Sequence, residues 1–317
     1  MKIVFLGSSR FAVPALSCIV SSSHKAICVV TQPDRLSGRG LGLSCTEVKR
    51  ISQEHKLMIH QPDNINQQES VEFLKRLEAD IFVVVAFGQI LSKRVLAIPK
   101  ILSLNLHASL LPKYRGAAPI RWAIINGETQ TGVTIIKLVE KLDAGPIILQ
   151  KRIDINDYDN AISLEDKLSL LGGELISQAL DLIQDKKHSL VIQDEREASY
   201  APKLKKQDGL INWDKSTRSI FNLIRGCAGW PGAHTDYRDK ILKIHKVSLI
   251  SSCLKNDPSV SLPGRVIQVS KQGIVVATGD GNLLIEELQM EGKKRMAACE
   301  FISGFRISVG ECLGEKN

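Results

Sequence analysis

Two polar residues near the end of a predicted strand are the first candidates for chemistry. Residues 103–107 (SLNLH) alternate polar and apolar side chains, a pattern typical of a strand. Asn105 and His107 are two residues apart, so their side chains leave the same face of that strand. Ligands of α/β proteins bind beside the carboxyl ends of parallel strands, which makes both residues candidate active-site groups. The same pattern fits a hydrogen-bonded polar pair in a core, and the pair alone leaves both interpretations open.

A carboxylate in a later loop completes the set. Asp143 lies within residues 141–146 (KLDAGP), a short loop between two predicted strands. A carboxylate beside His107 would orient the imidazole ring and favour its positively charged form. On its own, an aspartate that precedes Ala-Gly is also an ordinary turn residue.

Together, Asn105, His107 and Asp143 suit a reaction that needs neither a metal nor a nucleophilic Ser or Cys. Attack by an amine on a carbonyl creates an oxyanion, which donors from Asn and His would stabilise. The amine must also lose a proton and the leaving nitrogen must gain one, and a His–Asp pair can relay both. The residues therefore indicate attack by an amine on a carbonyl that a cofactor carries into the site.

The elements that must position these residues alternate regularly along the first part of the chain. Apolar runs predict strands at 3–6, 26–30, 58–60, 81–87 and 102–106, and amphipathic runs predict helices at 13–21, 46–55 and 70–77. Strands at 131–139 and 146–155 and a long helix at 163–183 follow. This order predicts an α/β fold with a doubly wound, mostly parallel, Rossmann-like sheet. The turn after Gly7 lacks the G-x-G-x-x-G spacing, so a nucleotide-dependent oxidoreductase is not supported.

The pattern of the chain changes after residue 188. Residues 189–205 are polar and poor in strands, which indicates a linker. Beyond it, a helix at 216–225 is followed by short strands at 241–250, 265–269, 273–277 and 283–288. Short strands with one helix predict a small β-barrel of the oligonucleotide-binding (OB-like) kind. The predicted division is therefore 1–188, 189–205 and 206–317.

Composition limits the compartment and the partners. No apolar run approaches the roughly 20 residues of a membrane helix, and the apolar run at the start is too short for a signal peptide, so we expect a cytoplasmic protein without membrane contact. Seven scattered cysteines without a C-x-x-C pair favour neither disulfides nor a thiolate site, and no metal is expected. Residues 206–317 hold 16 Lys and Arg against 12 Asp and Glu, or +4 of the net +8. This excess fits either a polyanionic partner or a solvated basic surface.

A family resemblance adds to this interpretation. Residues 105–112 (NLHASLLP) and 113–120 (KYRGAAPI), followed by 127–134 (GETQTGVT) and Leu142-Asp143, closely resemble the signature of the folate-dependent formyltransferases. In that family an Asn, a His and an Asp form the catalytic trio. The resemblance therefore assigns catalysis to Asn105, His107 and Asp143.

The same resemblance implies a folate site. The formyl donor of the family is 10-formyltetrahydrofolate, and the folate-binding segment falls here on Ser109, Leu110, Leu111 and Pro112. An apolar loop with free backbone amides could pack a pteridine ring and hydrogen-bond its edge. Without the resemblance, the segment would be interpreted as an ordinary apolar turn.

Within the family, the chain is similar to the members that act on methionyl initiator tRNA. Residues 31–40 (TQPDRLSGRG) resemble their substrate loop, which wedges into the acceptor end of the tRNA and places tRNA binding on Arg39. Residues 199–204 (SYAPKL) resemble their linker, and 277–281 (ATGDG) their C-terminal barrel. The resemblance covers nearly the whole chain. It implies transfer of the formyl group to the α-amino group of methionyl initiator tRNA for translation initiation, and we expect a monomer.

The chain departs from the family pattern at Ala108, Lys113, Ala144 and Ala228, none of which belongs to the trio. Two other functions stay open at this point. One is a formyltransferase acting on an amino sugar, a ribonucleotide or another small amine, and the other is a non-enzymatic RNA-binding protein. The basic second domain and the Arg39 loop argue against a small amine, and the intact trio argues against a loss of catalysis.

Overall fold

The computed structural model of the chain describes residues 1–37, 42–250 and 262–314. The described chain forms two compact units. The first unit consists of Met1–Pro119, Gln130–Asp154 and Glu165–Ala201, and the second of Ile120–Thr129, Ile155–Leu164 and Pro202–Asn317. Each unit is therefore assembled from three separate stretches of sequence.

The first unit is built on a mostly parallel sheet. Its strands are β1 (Lys2–Gly7), β2 (Lys25–Val30), β3 (Arg35–Ser37), β4 (Gly42–Ser44), β5 (Ile59–His60), β6 (Ile81–Val85), β7 (Leu102–His107), β8 (Gln130–Lys137) and β9 (Ile147–Asp154). Seven of them pair in the order β5-β2-β1-β6-β7-β8-β9, while β3 and β4 pair with each other. The neighbours from β5 to β7 are parallel, and β7–β8 and β8–β9 are antiparallel. The expected doubly wound α/β sheet is confirmed.

Helices connect these strands. They are α1 (Val13–Val20), α2 (Glu47–Glu54), α3 (Gln68–Arg76), α4 (Lys93–Leu96), α5 (Pro119–Ile125) and α6 (Ala161–Gln184). Helix α5 after its first residue, and α6 as far as Leu164, are counted with the second unit. Helix α2 begins where the sequence predicts, because the Thr46 hydroxyl accepts from the Lys49 N–H at 3.0 Å and satisfies a free donor of the first turn. Helix α6 begins two residues before the expected Ser163, because the Asn160 side chain accepts from the N–H groups of Ile162 and Ser163.

Burial on both faces explains why the central strands read as continuous apolar runs. On β1, Val4 and Leu6 pack into a cluster that includes Val71 and Leu74 of α3. The alternate residues of the strand, Ile3 and Phe5, are also fully buried. The sheet therefore has helices on both sides, and the polar side chains of its strands stand out as exceptions.

The second unit contains an antiparallel sheet. Its elements are α7 (Thr217–Gly226), β10 (His234–Tyr237), β11 (Lys240–Leu249), β12 (Val266–Ser270), β13 (Gly273–Ala277), β14 (Asn282–Met290), β15 (Met296–Ala297) and α8 (Ala298–Phe305). The strand order is β10-β11-β14-β13-β12, with β15 beside β14. Trp213, Phe221, Tyr237 and Phe301 lie in its core. The small β domain is confirmed, but the expectation of one helix is wrong, because α8 packs Phe301 into the same core.

A buried arginine fixes residues 193–201 to the first unit. The Arg115 guanidinium is fully buried, and it donates to both carboxylate oxygens of Glu195 at 3.1 Å. The Arg115 N–H donates to the Ser199 carbonyl at 2.8 Å, and the Arg115 carbonyl accepts from the Ala201 N–H at 2.7 Å. A buried guanidinium is tolerated only when it is paired. Much of the segment expected as linker thus packs within the first unit, and the boundaries at 188 and 205 stay a prediction.

No helix in the described ranges is both long enough and apolar enough to cross a membrane.

The central position of β1 leads to a stability prediction. We expect Ile3→Ala to lower the free energy of unfolding by about 2–5 kcal/mol, because it leaves a cavity between packed layers. Ile90 is 84% exposed and provides a matched control, since Ile90→Ala removes the same atoms from solvent-facing surface. Its effect should stay within about 0.5 kcal/mol. Urea unfolding, followed by circular dichroism, measures the free energy of unfolding of both variants. Equal losses in the two variants would contradict the packing of Ile3 in the core.

The Arg115–Glu195 pair leads to a pH prediction. Hydrogen bonds from Arg115, and then from Lys141, lower the pKa of Glu195 from its ordinary value of 4.5 to about 2. The pair therefore stabilises the folded chain fully above about pH 4.5, and this stabilisation disappears as the pH falls toward 2. We expect Glu195→Gln to lower the Tm at pH 6 and to lower it much less at pH 3.

Glu174→Gln is the control for this pH dependence, because it removes an exposed pair with Lys151 (3.3 Å) in the same unit. Its effect on Tm should be small at both pH values. If the Tm difference between wild type and Glu195→Gln were the same at pH 6 and pH 3, the Arg115–Glu195 pair would not be the origin of the pH dependence.

Candidate active site

The structure places Asn105 and His107 on one face of β7, as the sequence predicts. His107 is the last residue of the strand and is opposite Thr134 of β8. Asn105 lies between Val84 of β6 and Ile136 of β8. Val84 and Ile136 are apolar and buried, so the Asn105 side chain projects from an otherwise hydrophobic part of the sheet.

The His107 ring lies between two protein oxygens. Its Nε2 is 2.9 Å from the Tyr114 carbonyl oxygen, and its Nδ1 is 3.6 Å from Asp143 Oδ2. Because a carbonyl oxygen can only accept, Nε2 carries the proton in the neutral ring and Nδ1 presents a lone pair. A second proton on Nδ1 would face the carboxylate. The ring is therefore held with its Nε2 toward Tyr114 and its Nδ1 toward Asp143.

Asp143 reaches His107 by an indirect route. Leu138, the first residue after β8, donates its N–H to Ser103 O at 2.8 Å, which is beside the amino-terminal half of β7. The loop must therefore fold back along β7 for its Asp143 to approach His107 at the other end. Asp143 has a φ of +48°, in the left-handed region that costs a non-glycine residue about 1 kcal/mol. Its side chain is only 10% exposed.

A backbone N–H holds the Asp143 carboxylate. The Gly116 N–H donates to Asp143 Oδ2 at 2.8 Å. Gly116 has a φ of +120°, and a Cβ there would lie 2.7 Å from the Ala201 carbonyl oxygen. Only glycine fits this position, which explains its place directly after Arg115 in the motif.

The Asn105 side chain is the part of the trio that stays available. Within the ranges that the structure describes, its amide makes no hydrogen bond to another protein group. It is partly buried, so its donors and acceptor face a restricted space rather than open solvent. An amide in that situation can bind a ligand with little competition from the protein.

The segment proposed for folate, residues 109–112, is anchored by its own hydrogen bonds. The Thr134 hydroxyl donates to the Ser109 carbonyl at 2.6 Å and accepts from the Leu111 N–H at 3.2 Å. Gln150 Nε2 donates to the Leu111 carbonyl at 2.9 Å. The free amide expected in this segment is therefore not that of Leu111. Leu111 is buried and Leu110 is partly exposed, so Leu110 presents the apolar surface of the segment.

Arg39, the residue assigned to tRNA binding, lies outside the described residues. Hydrogen bonds join the described residues that precede Arg39 to those that follow it. The hydroxyl groups of Thr31 and Thr46 are 2.7 Å apart, and Lys49 Nζ donates to Asp34 Oδ2 at 2.6 Å. Among the residues with described positions, no three His, Cys, Asp or Glu side chains form a group that could hold a metal.

Three residues of the site were missed from the sequence. Tyr114 acts through its carbonyl oxygen, which no side-chain pattern reveals. Gln150 looks like any polar residue on an edge strand. Thr134 did leave a signal in the sequence, because it is a polar residue within the otherwise apolar run 133–136 (VTII). The structure shows that its hydroxyl is fully buried.

Comparisons with known proteins identify the family of the chain. A family model described as formyl transferase matches residues 1–180, and one described as formyl transferase, C-terminal domain, matches residues 203–306. The methionyl-tRNA formyltransferase of Geobacter metallireducens is 45% identical over 314 residues, 99% of each chain. That of Thermodesulfovibrio yellowstonii is 46% identical over 309 residues, 97% of each chain.

Solved structures share the fold at low sequence identity. The N-formyltransferase of Helicobacter canadensis, solved with folinic acid and dTDP-3-aminofucose, is 20% identical with a TM-score of 0.68, over 92% of this chain and 99% of that one. HypX of Aquifex aeolicus, solved with tetrahydrofolic acid, is 16% identical with a TM-score of 0.64 over 98% of this chain. The match spans only 48% of HypX. The family models and the full-length relatives show that the chain belongs to the formyl transferase family, among the methionyl-tRNA formyltransferases.

Proposed function

We propose that this chain transfers the formyl group of 10-formyltetrahydrofolate to the α-amino group of methionyl initiator tRNA. The observation that carries the proposal is the His107 ring between the Tyr114 carbonyl and the Asp143 carboxylate, with the Asn105 amide on the same strand face and unpaired within the described ranges. Relatives at 45–46% identity over nearly their whole length support the tRNA substrate. The sugar N-formyltransferases are far more distant, at 15–21%.

The residues present fit a folate. Tetrahydrofolate would bring the formyl group, and the chain must bind it, orient it and handle protons. Leu110 offers apolar surface beside the strand end, and Asn105 offers an amide that has no hydrogen-bond partner among the described residues. We therefore assign Ser109, Leu110, Leu111 and Pro112 to the folate site, with Thr134 and Gln150 holding their backbone in place.

Proton transfer is assigned to His107. Nε2–H is committed to the Tyr114 carbonyl, so the proton of the attacking amine would go to Nδ1. His107 would return this proton to the donor nitrogen, which leaves as its bond to the formyl carbon breaks. The resulting imidazolium would lie against the Asp143 carboxylate, 3.6 Å away and largely excluded from solvent. In such surroundings an ion pair is considerably stronger than in water, which makes Asp143 the group that favours the transfer.

Stabilisation of negative charge is assigned to Asn105 and His107. As the amine attacks, the formyl oxygen becomes an anion, and the free Asn105 amide could donate to it directly. His107, once protonated, adds a positive charge from the same strand face. Donors fixed before the reaction need no reorganisation during it, which is why such groups contribute strongly to rates.

We assign the tRNA contacts to the 34–45 loop and to the second unit. We keep Arg39 as the tRNA contact, and the second unit adds exposed lysines such as Lys293 and Lys294 in the turn between β14 and β15. Neighbouring Arg295 is already paired with Glu287. Cytoplasmic location and a monomeric state complete the proposal.

The test of the function is transfer of labelled formyl from 10-formyltetrahydrofolate to methionyl initiator tRNA. We expect label on the charged tRNA, and none on free methionine or on deacylated tRNA. Label on a small amine instead would favour the amino-sugar alternative. Folate binding without transfer to any amine would refute an enzymatic role.

The role of Asp143 predicts a large effect of a conservative change. Asp143→Asn keeps the size of the side chain but removes the charge beside Nδ1, so kcat should fall about 100- to 10,000-fold. Asp181→Asn is the matched control, because Asp181 also pairs with a histidine, His24, at 3.1 Å but lies outside the site. Full turnover by Asp143→Asn with normal folate binding would contradict the assignment.

The role of Asn105 predicts a change in kcat rather than in folate affinity. Asn105→Ala removes the free amide and should lower kcat about 100- to 1,000-fold, as loss of an oxyanion donor does. The Kd for 10-formyltetrahydrofolate, measured by fluorescence titration, should change much less. A variant that loses folate binding while keeping kcat would move Asn105 from charge stabilisation to binding alone.

A further inference from the structure

We propose that Gln193 is a positioning residue for this reaction: its side-chain amide holds the Asp143 loop in the conformation that directs the carboxylate at His107. The inference rests on the proposed function, because it gives Asp143 a part in catalysis. Gln193 comes from the polar segment that resembles a linker, and nothing in its sequence context distinguishes it.

The amide nitrogen of Gln193 contacts the Asp143 loop twice. Nε2 donates to the Asp143 carbonyl oxygen at 2.8 Å and to the Gly145 carbonyl oxygen at 2.7 Å. Gln193 is only 6% exposed, so solvent does not compete strongly for these bonds. The two carbonyls flank Ala144, and the bonds therefore fix the main chain on both sides of one peptide unit.

These bonds act where the loop needs support. The loop must fold back along β7, and Asp143 adopts a left-handed conformation with a φ of +48°. Such a conformation persists in a non-glycine residue only when the surroundings hold it. Gly116 holds the carboxylate from the other side at 2.8 Å. Gln193 thus fixes the main chain of Asp143, and Gly116 fixes its side chain.

The orientation of the Gln193 amide is itself fixed. Its oxygen accepts from Arg115 Nε at 3.1 Å and from Arg115 Nη2 at 2.8 Å. A guanidinium has only donors and a carbonyl only accepts, so the amide cannot turn over without losing all four bonds. A neutral amide supplies both kinds of group, and glutamine is therefore the side chain that fits between Arg115 and the loop.

Arg115 couples this support to His107. It lies between Tyr114, whose carbonyl receives the His107 Nε2–H, and Gly116, whose N–H holds Asp143. Its guanidinium is fully buried, and Glu195 balances its charge. The buried Arg115 side chain therefore joins the loop that contacts the His107 ring to the Gln193 amide, which fixes the Asp143 loop.

The experiment compares kcat and folate binding in two variants. Gln193→Met keeps the length of the side chain and cannot donate, so we expect kcat to fall roughly 100-fold through misplacement of Asp143. The Kd for 10-formyltetrahydrofolate should stay within about twofold of wild type. Gln193→Glu keeps an acceptor for the buried Arg115, which protects folding, but removes the donors to the loop, and kcat should fall similarly.

Gln89→Met is the matched control. Gln89 also bridges backbone groups in the first unit, donating to the carbonyls of Pro62 and Asp63 at 3.2 and 3.3 Å. It contacts neither His107 nor Asp143 among the described residues. Its replacement should lower stability while kcat stays close to wild type.

A double-mutant cycle separates positioning from a general structural effect. In an Asp143→Asn background there is no carboxylate left to place, so adding Gln193→Met should change kcat by less than about twofold. If the fold-reduction of kcat in the double variant equalled the product of the reductions in the two single variants, the proposal would be overturned. Wild-type kcat in both Gln193 variants would overturn it as well.

A crystal structure of Gln193→Met tests the inference independently of turnover. We expect the Asp143 carboxylate to move away from His107 and to lose the Gly116 N–H. An unmoved carboxylate would overturn the positioning role even if kcat fell. If the wild-type chain transferred no formyl group to methionyl-tRNA, the proposed function would fail, and the position of Asp143 in the variant would still decide this inference.

Discussion

The buried guanidinium of Arg115 is the constraint on which the site depends. A cation without solvent must be surrounded by acceptors, and here Gln193 and Glu195 provide them from a segment about 80 residues further along the chain. That requirement draws the segment against the loop between β8 and β9. The candidate site therefore combines three stretches that are distant in sequence, around residues 105–116, 143 and 193–201. A segment that looks like a connection thus packs against the loops of the candidate site.

The direction of the strands explains why the loop that carries Asp143 needs several supporting contacts. Strand β8 runs antiparallel to β7, with Thr134 opposite His107 and Lys137 opposite Leu104. The chain thus leaves β8 at the wrong end of β7 for Asp143 to meet His107. A loop that folds back loses regular hydrogen bonds, and its backbone groups need other partners. Gln193 and Gly116 provide them, so the supporting contacts follow from the sheet topology.

The sequence predicts the sheet well and the supporting contacts poorly. Strands such as β1 and β6 are buried on both faces, and their apolar runs identify them without ambiguity. Asn105 and His107 are recognisable because their type and spacing interrupt such a run. The short strand β10 (HTDY) and helix α8 lack a clear period, and they form because the core of the second unit covers them. Gln193 and the Tyr114 carbonyl leave no signal, since their importance comes from contacts made only after folding.

The four positions at which the chain departs from the family pattern also show that many contacts here are made by main-chain atoms. Lys113 is exposed, and its main chain makes both local contacts: its N–H donates to the Leu110 carbonyl at 3.1 Å, and its carbonyl accepts from the Ser109 hydroxyl at 2.6 Å. Ala144 lies between the two carbonyls that Gln193 holds, so a smaller side chain there leaves both bonds in place. Ala228 likewise offers its carbonyl to Arg121 at 2.7 Å, and Ala108 is a buried residue at the strand end. Positions that contribute backbone atoms tolerate a change of side chain, whereas Gly116 does not, because its backbone contact requires the absence of a Cβ. The four departures therefore lie where these contacts use main-chain atoms or none, whereas Arg115 and Gln193 contribute side-chain groups and Gly116 a backbone position that admits no Cβ.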